Sequence, residues 1–351
     1  MKVVETMFQE SLQASINDRG NVEFGNSDAE FTPVSILKSD EIAYRAEYRA
    51  WLNDVWLAKN KYRLEEILPL HGNAKRFSDL CSSVAANNVV PMVGSGMSKA
   101  SGLPLWGEFL LGLSAYSGID QQIIDGMLEA GQYEEAVDCQ AEAVGKALFD
   151  ERIEHDLRLE ESMLSGPVRL LPEVFPNLVL TTNLDDVLEH VYEVAEQRFI
   201  NVLVGRDIER YRQVHALGRP TLLKLHGDYR RDDGRVLGVR EYDEAYTNGA
   251  PPREALSLIY RTRPLLWIGC SLVIDRTVRL VEEIAAEDPS IPRHFAFLKL
   301  PDDAKRIDRE KELSQHHIFP IWYDGDHDDD LEALIVGILD RNARFSGGLD
   351  L

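Results

Sequence analysis

Apolar positions recur along this chain with two different rhythms, and the change between them divides it. In SDEIAYRAEYRAWLNDVWLAKNKYRLEEIL, residues 39–68, Ile42, Tyr44, Tyr48, Trp51, Leu52, Val55, Trp56 and Leu57 fall at roughly helical spacing. Ser39 followed by Glu41 marks a helix start. Before it, NDRGNVEFGNSDAEF is polar and rich in Gly and Asn, so it reads as loop. From about residue 76 short apolar runs alternate with amphipathic stretches. VVPMVG (89–94), NLVLTT (177–182), TLLKLH (221–226), LLWIG (265–269), HFAFLKL (294–300) and IFPIWY (318–323) predict strands. DDVLEHVYEVAEQ and DRTVRLVEEIAAE between them predict helices. Such alternation predicts an α/β fold, a Rossmann-like, doubly wound and mostly parallel sheet with helices on both faces.

The gap between the first two predicted strands is too long for one crossover and is filled with helix-like sequence. It predicts a small helical module at about 107–172 inserted in an α/β domain of residues 76–345. Residues 1–75 form an N-terminal, partly helical extension and 346–351 a short tail. The extension reads either as helix packed on the main domain or as an arm for oligomerisation or a partner; packing is the simpler reading. The acidic run DGDHDDDLE (324–332) reads as a solvated loop leading into a last helix.

Composition narrows the class. With 351 residues, 44% hydrophobic and 28% charged, the chain is an ordinary folded protein of about two domains, or one large domain with additions. Its three cysteines, Cys81, Cys139 and Cys270, include no CxxC pair, which excludes a disulfide framework and a four-thiolate zinc site. The opening MKVVETMFQESLQ lacks a sustained apolar run, and PLLWIGCSLVI (264–274) is too short to span a bilayer. Together these predict a cytoplasmic protein without membrane contact. A net charge of −22 argues against direct nucleic-acid binding. Arg253, Arg261 and Arg263 are the best place for a local basic patch.

The chemistry is concentrated just after the strands, where open parallel sheets bind ligands. VVPMVG runs into Gly94-Ser95-Gly96-Met97-Ser98, a turn whose missing side chains would let backbone N–H groups approach a pyrophosphate. Lys99 stands where GxGxxG has its third glycine, so the turn alone is equally readable as only a turn. NLVLTT runs into Asn183-Leu184-Asp185, where Asp185 or Asp186 can cap the next helix and leave Asn183 facing the cleft. TLLKLH ends at His226-Gly227-Asp228; a lone histidine is commonly structural, but at a strand end it could titrate near neutrality as a general base. LLWIG runs into Cys270-Ser271-Leu272, with Asp275 beyond.

These four segments resemble one family. Gly94-Ser95-Gly96-Met97-Ser98 with Ser101-Gly102-Leu103-Pro104-Leu105-Trp106 is similar to GxGxS…SGxPxW; Thr182-Asn183-Leu184-Asp185 to TxNxD; His226-Gly227 to a catalytic HG; Gly269-Cys270-Ser271-Leu272 to GxSL. The family is the sirtuin-like one, in its bacterial branch without the sirtuin zinc module, and the resemblance covers about 80–330. It implies NAD as substrate, no metal, and an NAD hydrolase that acts in anti-phage defence by depleting NAD. It also implies a homo-oligomer and, as a possible companion, a HerA-type ATPase.

On this reading the Gly94–Ser98 loop holds the pyrophosphate, with Gly94, Ser95, Gly96 and Ser98 as its binding residues. Asn183 positions ribose and water, with Thr182 and Asp185 beside it, and His226 followed by Gly227 supplies the base. Pro104 and Trp106 wall the nicotinamide pocket, and Gly269, Ser271 and Leu272 belong to the GxSL segment, where Ser271 contacts the adenosine half. Two alternatives stay open: a protein deacylase or ADP-ribosyl transferase of the same fold, which the absent zinc cysteines disfavour, and an NAD- or ADP-ribose-binding subunit without turnover.

Overall fold

The computed structural model describes residues 2–17, 33–160, 163–272 and 276–342. All of the polar stretch 17–31 except Asn17, as well as Asp275 and the 346–351 tail, lies outside the described residues.

Seven strands form one sheet in the order β3-β4-β2-β1-β5-β6-β7, and every pairing is parallel. They are β1 (Val90–Val93), β2 (Leu178–Thr181), β3 (Asn201–Val204), β4 (Thr221–Lys224), β5 (Leu265–Ile268), β6 (His294–Lys299) and β7 (Ile318–Tyr323). The four central strands are buried at every position, as expected of strands covered on both faces. Six of the seven coincide with the apolar runs. The edge strand β3 does not: Asn201 interrupts the apolar stretch, Val202 is exposed, and only its last two residues are buried.

Each face of the sheet has its own core. On one, Val93, Val179, Leu222, Ile268 and Phe297 pack against Phe77 and Leu80 of a helix at Asn73–Ala85 and Leu331, Leu334 and Ile338 of a helix at His327–Arg341. On the other, Met92, Leu180, Leu223 and Trp267 meet Leu256 and Ile259 of Pro251–Thr262 and Val281 and Ile284 of Arg276–Glu287.

The N-terminal helices join the first core. Asp40 caps Glu41–Ala50 by accepting from the N–H groups of Ile42 and Ala43, the helix continues through a π-type turn at Trp51–Leu57, and Ala58–Ile67 completes it. Leu52, Trp56 and Ile67 are buried with Val3 and Val4 of Lys2–Asn17, each contributing about 1.5–3 kcal/mol of hydrophobic stabilisation. Ile42 and Val55, apolar and in phase with the others, instead lie exposed.

A third core belongs to helices Trp106–Ser117, Gln121–Glu129, Tyr133–Val144 and Lys146–Asp156, around Phe109, Leu110, Ile124, Val137, Phe149 and Ile153. Leu184 and Tyr229, from loops at the carboxyl edge of the sheet, complete it, so these helices sit directly over that edge. The later turns Pro167–Leu170 and Leu171–Val174 pack into the sheet core instead. The expected basic patch is neutralised locally, because Arg253 pairs with Glu283 (2.9 Å), Arg261 with Glu287 (2.5 Å), and Arg263 donates to the carbonyls of Asn87 and Asn88. No helix among the described residues is long and apolar enough to cross a membrane.

Candidate active site at the sheet switch point

The chain leaves β1 for β2 on one side and returns through β5 on the other, so the loops after β1 and β5 part at the carboxyl edge. That divergence opens a crevice where open α/β sheets bind ligands. Here it is a cavity of about 930 Å³ bounded by the sheet edge, the helical module and the β6–β7 side.

The loops after β1 and β5 interlock. A Cβ on Gly94 would lie 2.5 Å from the Gly269 carbonyl oxygen and 2.7 Å from Cys270 Sγ; Gly269 has φ +68°, and a Cβ there would meet the Met97 nitrogen at 2.7 Å. The glycines therefore serve loop-to-loop contact. Of the backbone donors expected after β1, four are turned inward. Gly94 N–H donates to Ile268 O (2.9 Å), Gly96 to Gly269 O (3.0 Å), Met97 to Gly94 O (3.1 Å) and Ser98 to Ser95 O (3.0 Å), because Ser95–Met97 closes as a 3₁₀ turn.

Asn183 and Asp185 share one partner. The Asn183 amide donates from Nδ2 to Ser98 Oγ (3.1 Å), and the Ser98 hydroxyl also lies close enough to Asp185 to favour its carboxylate. Thr181 fixes the strand end by donating to Val93 O (2.8 Å) and accepting the Asn183 N–H (2.9 Å). Asp185 accepts the Val187 N–H (3.1 Å) at the start of helix Val187–Val194, while Asp186 accepts from Tyr229 Oη (2.8 Å). Burial raises the Asp185 carboxyl to about 6, against the pull of Lys224 and the Ser98 hydrogen bond.

Lys224 is fully buried beneath this group. Its ammonium donates to the carbonyls of Leu184 (3.1 Å) and Asp185 (2.7 Å) and to Asp228 (2.7 Å) and Glu189 (3.2 Å). Burial alone would raise Asp228, but hydrogen bonds from Arg230 and Lys224 and their charge outweigh it and hold the carboxyl well below the ordinary range.

His226 stands between two tyrosines. Nε2 is 2.7 Å from Tyr246 Oη, which is itself 2.8 Å from Thr277 Oγ1, and Nδ1 is 3.3 Å from Tyr242 Oη. Titration near neutrality does not follow from this setting, because burial lowers the imidazole to about 3.

Of the residues predicted from sequence, Gly94, Ser95, Gly96, Pro104, Trp106, Thr182, Asn183, Asp185, His226, Gly269, Ser271 and Leu272 line the one cavity. Ser98 and Gly227 do not. Ser98 is buried behind Asn183, and Gly227, at φ +104°, is required by the turn itself, since a Cβ would lie 2.7 Å from Arg235 Cα. Sequence reasoning missed Lys224, Tyr242, Tyr246, Lys299 and His327. The first was visible as the single charge within TLLKLH, and the tyrosines as an i, i+4 pair. His327 was hidden in the acidic run, which is not simply solvated loop: a helix begins at His327, and Asp330 is completely buried.

Comparison with known families supports the same region. Residues 177–321 match the SIR2-like domain. The matched segment carries Asn183, Asp185, His226 and Ser271, while the Gly94 loop precedes it. No curated protein matches the chain. A SIR2-like domain suggests NAD-dependent activity in general, and among the described residues no group of three or more His, Cys, Asp or Glu is placed to hold a metal ion.

Proposed function

We propose that the chain is an NAD+ glycohydrolase that releases nicotinamide and ADP-ribose from NAD. The observation that carries this reading is the convergence of His226, Asn183 and the Gly94–Gly96 turn on one cavity at the switch point of a SIR2-like domain. At about 930 Å³ the cavity is near the top of the range for small-molecule sites, as a dinucleotide requires. The close contact of Gly94 with Gly269 brings bare backbone to its floor, where an extended diphosphate can lie flat.

Each side chain has a role its geometry supports. Asn183, held by Ser98, presents its amide oxygen to the ribose or to the attacking water. With Nε2–H donated to Tyr246, Nδ1 of His226 accepts from Tyr242 Oη (3.3 Å); substrate displaces this long contact, and Nδ1 then takes the proton from the ribose hydroxyl or water. Asp185 braces the Ser98–Asn183 pair. Pro104 and Trp106, at the entrance to the helical module, close the nicotinamide end against solvent, and Ser271 faces the adenosine half.

In the cell such turnover depletes NAD, and we assign the protein to anti-phage defence on the motif resemblance. A homo-oligomer and a HerA-type ATPase companion belong to the same proposal. The test is nicotinamide and ADP-ribose release from NAD by the purified chain across a range of protein concentrations, alone and with such an ATPase. His226→Ala and Asn183→Ala should each lower turnover at least about a hundredfold. Near-wild-type turnover in both variants would remove the mechanism; tight ADP-ribose binding without turnover in any condition would favour a binding subunit.

A further inference from the structure

The N-terminal helix reaches this cavity from behind. Arg63, on the helix Ala58–Ile67, grips the loop that follows β7: its guanidinium donates to both oxygens of Asp330, with Nη2 to Oδ2 at 3.0 Å, and to Asp324 Oδ1 at 2.8 Å. Asp330 is completely buried, and its Oδ2 also accepts the Gly325 N–H (2.8 Å). Lys59 to Asp329 (2.8 Å) and Trp56 Nε1 to Glu332 (2.7 Å) extend the clamp along the first turns of His327–Arg341.

The clamped loop connects two cavity residues, Tyr323 and His327. A third, Lys299, donates to the carbonyls of Asp324 (2.8 Å) and Gly325. His327 is the telling one. Its Nδ1 lies 2.9 Å from Asp328 Oδ1, and its Nε2 would be 3.1 Å from a Cβ on Gly96, so the free edge of the ring lies against the turn after β1. That turn borders the cavity through Gly94, Ser95 and Gly96 but has directed its own Gly94, Gly96, Met97 and Ser98 N–H groups inward. Ser95 is the turn's remaining donor toward the cavity, and a donor from outside the turn would share the diphosphate with it.

We infer that His327, with Nδ1–H on Asp328 and both ring nitrogens protonated, donates from Nε2 to the diphosphate of the bound dinucleotide, and that Arg63 is the positioning residue that holds it there. Docking of the N-terminal helix and dinucleotide binding are then coupled. The inference rests on the NAD reading above and adds to it a ligand contact and a role for the extension.

The experiment is a double-mutant cycle on affinity, by calorimetric titration of the full chain with NAD and with ADP-ribose, and with thermal unfolding recorded for every variant. His327→Ala should weaken binding by about ten- to a hundredfold, the loss of one charge-assisted hydrogen bond. Arg63→Gln should weaken it comparably in the parent chain but less than about threefold when His327 is already alanine. A loss of stability unrelated to His327 would give equal effects in both backgrounds, and that result overturns the inference, as does His327→Ala binding within twofold of the parent. Should Arg63→Gln not fold, Asp324→Ala removes only the outer, half-exposed contact and should show the same non-additivity. Binding with additive effects defeats this inference alone, whereas an unmutated chain that binds neither ligand defeats the NAD reading as well.

Discussion

Replacing Asp185 with asparagine should make the protein more stable at neutral pH and leave it nearly unchanged in acid. Burial raises this carboxyl from 3.8 to about 6. A folded-state value above the unfolded one means that the native protein holds a proton the unfolded chain releases. The associated stability is fully present below pH 3.8 and is lost as pH rises through about 6. The difference corresponds to about 3 kcal/mol, of which about 1 is lost by pH 4.5 and about 2 more between pH 4.5 and 7.5. Asparagine keeps an acceptor for the Val187 N–H and a polar partner for Ser98 but never ionises. Urea unfolding of both proteins from pH 4.5 to 7.5 should show the variant gaining about 2 kcal/mol relative to wild type. The reasoning is refuted if that gain is below about 0.5 kcal/mol, or if the variant loses ground as pH rises. Either result would mean that the Lys224 ammonium, which bonds the Asp185 backbone carbonyl at 2.7 Å, outweighs desolvation of the carboxylate.

Gly94→Ala should cost at least tenfold in NAD affinity, because its methyl group would fall 2.5 Å from the Gly269 carbonyl oxygen and force the two loops apart; affinity within twofold of wild type would show that the interlock is dispensable. Lys224→Met should destabilise the fold by about 3–5 kcal/mol, the range for breaking a buried ion pair. Unfolding by denaturant checks this, and a loss under 1 kcal/mol would mean that Arg230 alone satisfies Asp228.

What could be read from the sequence followed from how completely each element is buried. β1, β2, β4 and β5 are covered on both faces, so each is dominated by apolar residues, with Lys224 as the one buried charge among them, and each was found. β3 lies at the edge with Val202 exposed, and Asn201 cuts its apolar stretch to Val202–Val204, too short to stand out. Asn183 and His226 were legible because a polar residue directly after a buried strand lands on the carboxyl edge. The partners of His226 were not, since Tyr246 and Thr277 come from two later elements and meet only through packing. His327 looked like part of a solvated acidic run because sequence cannot show that one of those acids, Asp330, is buried against an arginine some 270 residues away.

The setting of His226 also constrains how the proposed reaction proceeds. At about 3, the imidazole is neutral across the physiological range, so one ring nitrogen stays unprotonated but the protonated form is strongly disfavoured. Tyr242 and Tyr246 meet the ring through hydroxyl groups rather than carboxylates. The charge that makes protonation tolerable must then come from the ligand, and a dinucleotide supplies it through its diphosphate. On this account His226 is a poor base in the empty cavity and a competent one only with substrate bound. The free-enzyme profile, read as kcat/KM, should therefore lack an acid limb near the ordinary histidine value of 6.5. Any limb near 6 should disappear in Asp185→Asn, because Asp185 is the group within the Ser98–Asn183 cluster that titrates there. A limb near 6.5 that survives this replacement and vanishes with His226→Gln would show that water reaches the imidazole and that its burial does not govern its chemistry.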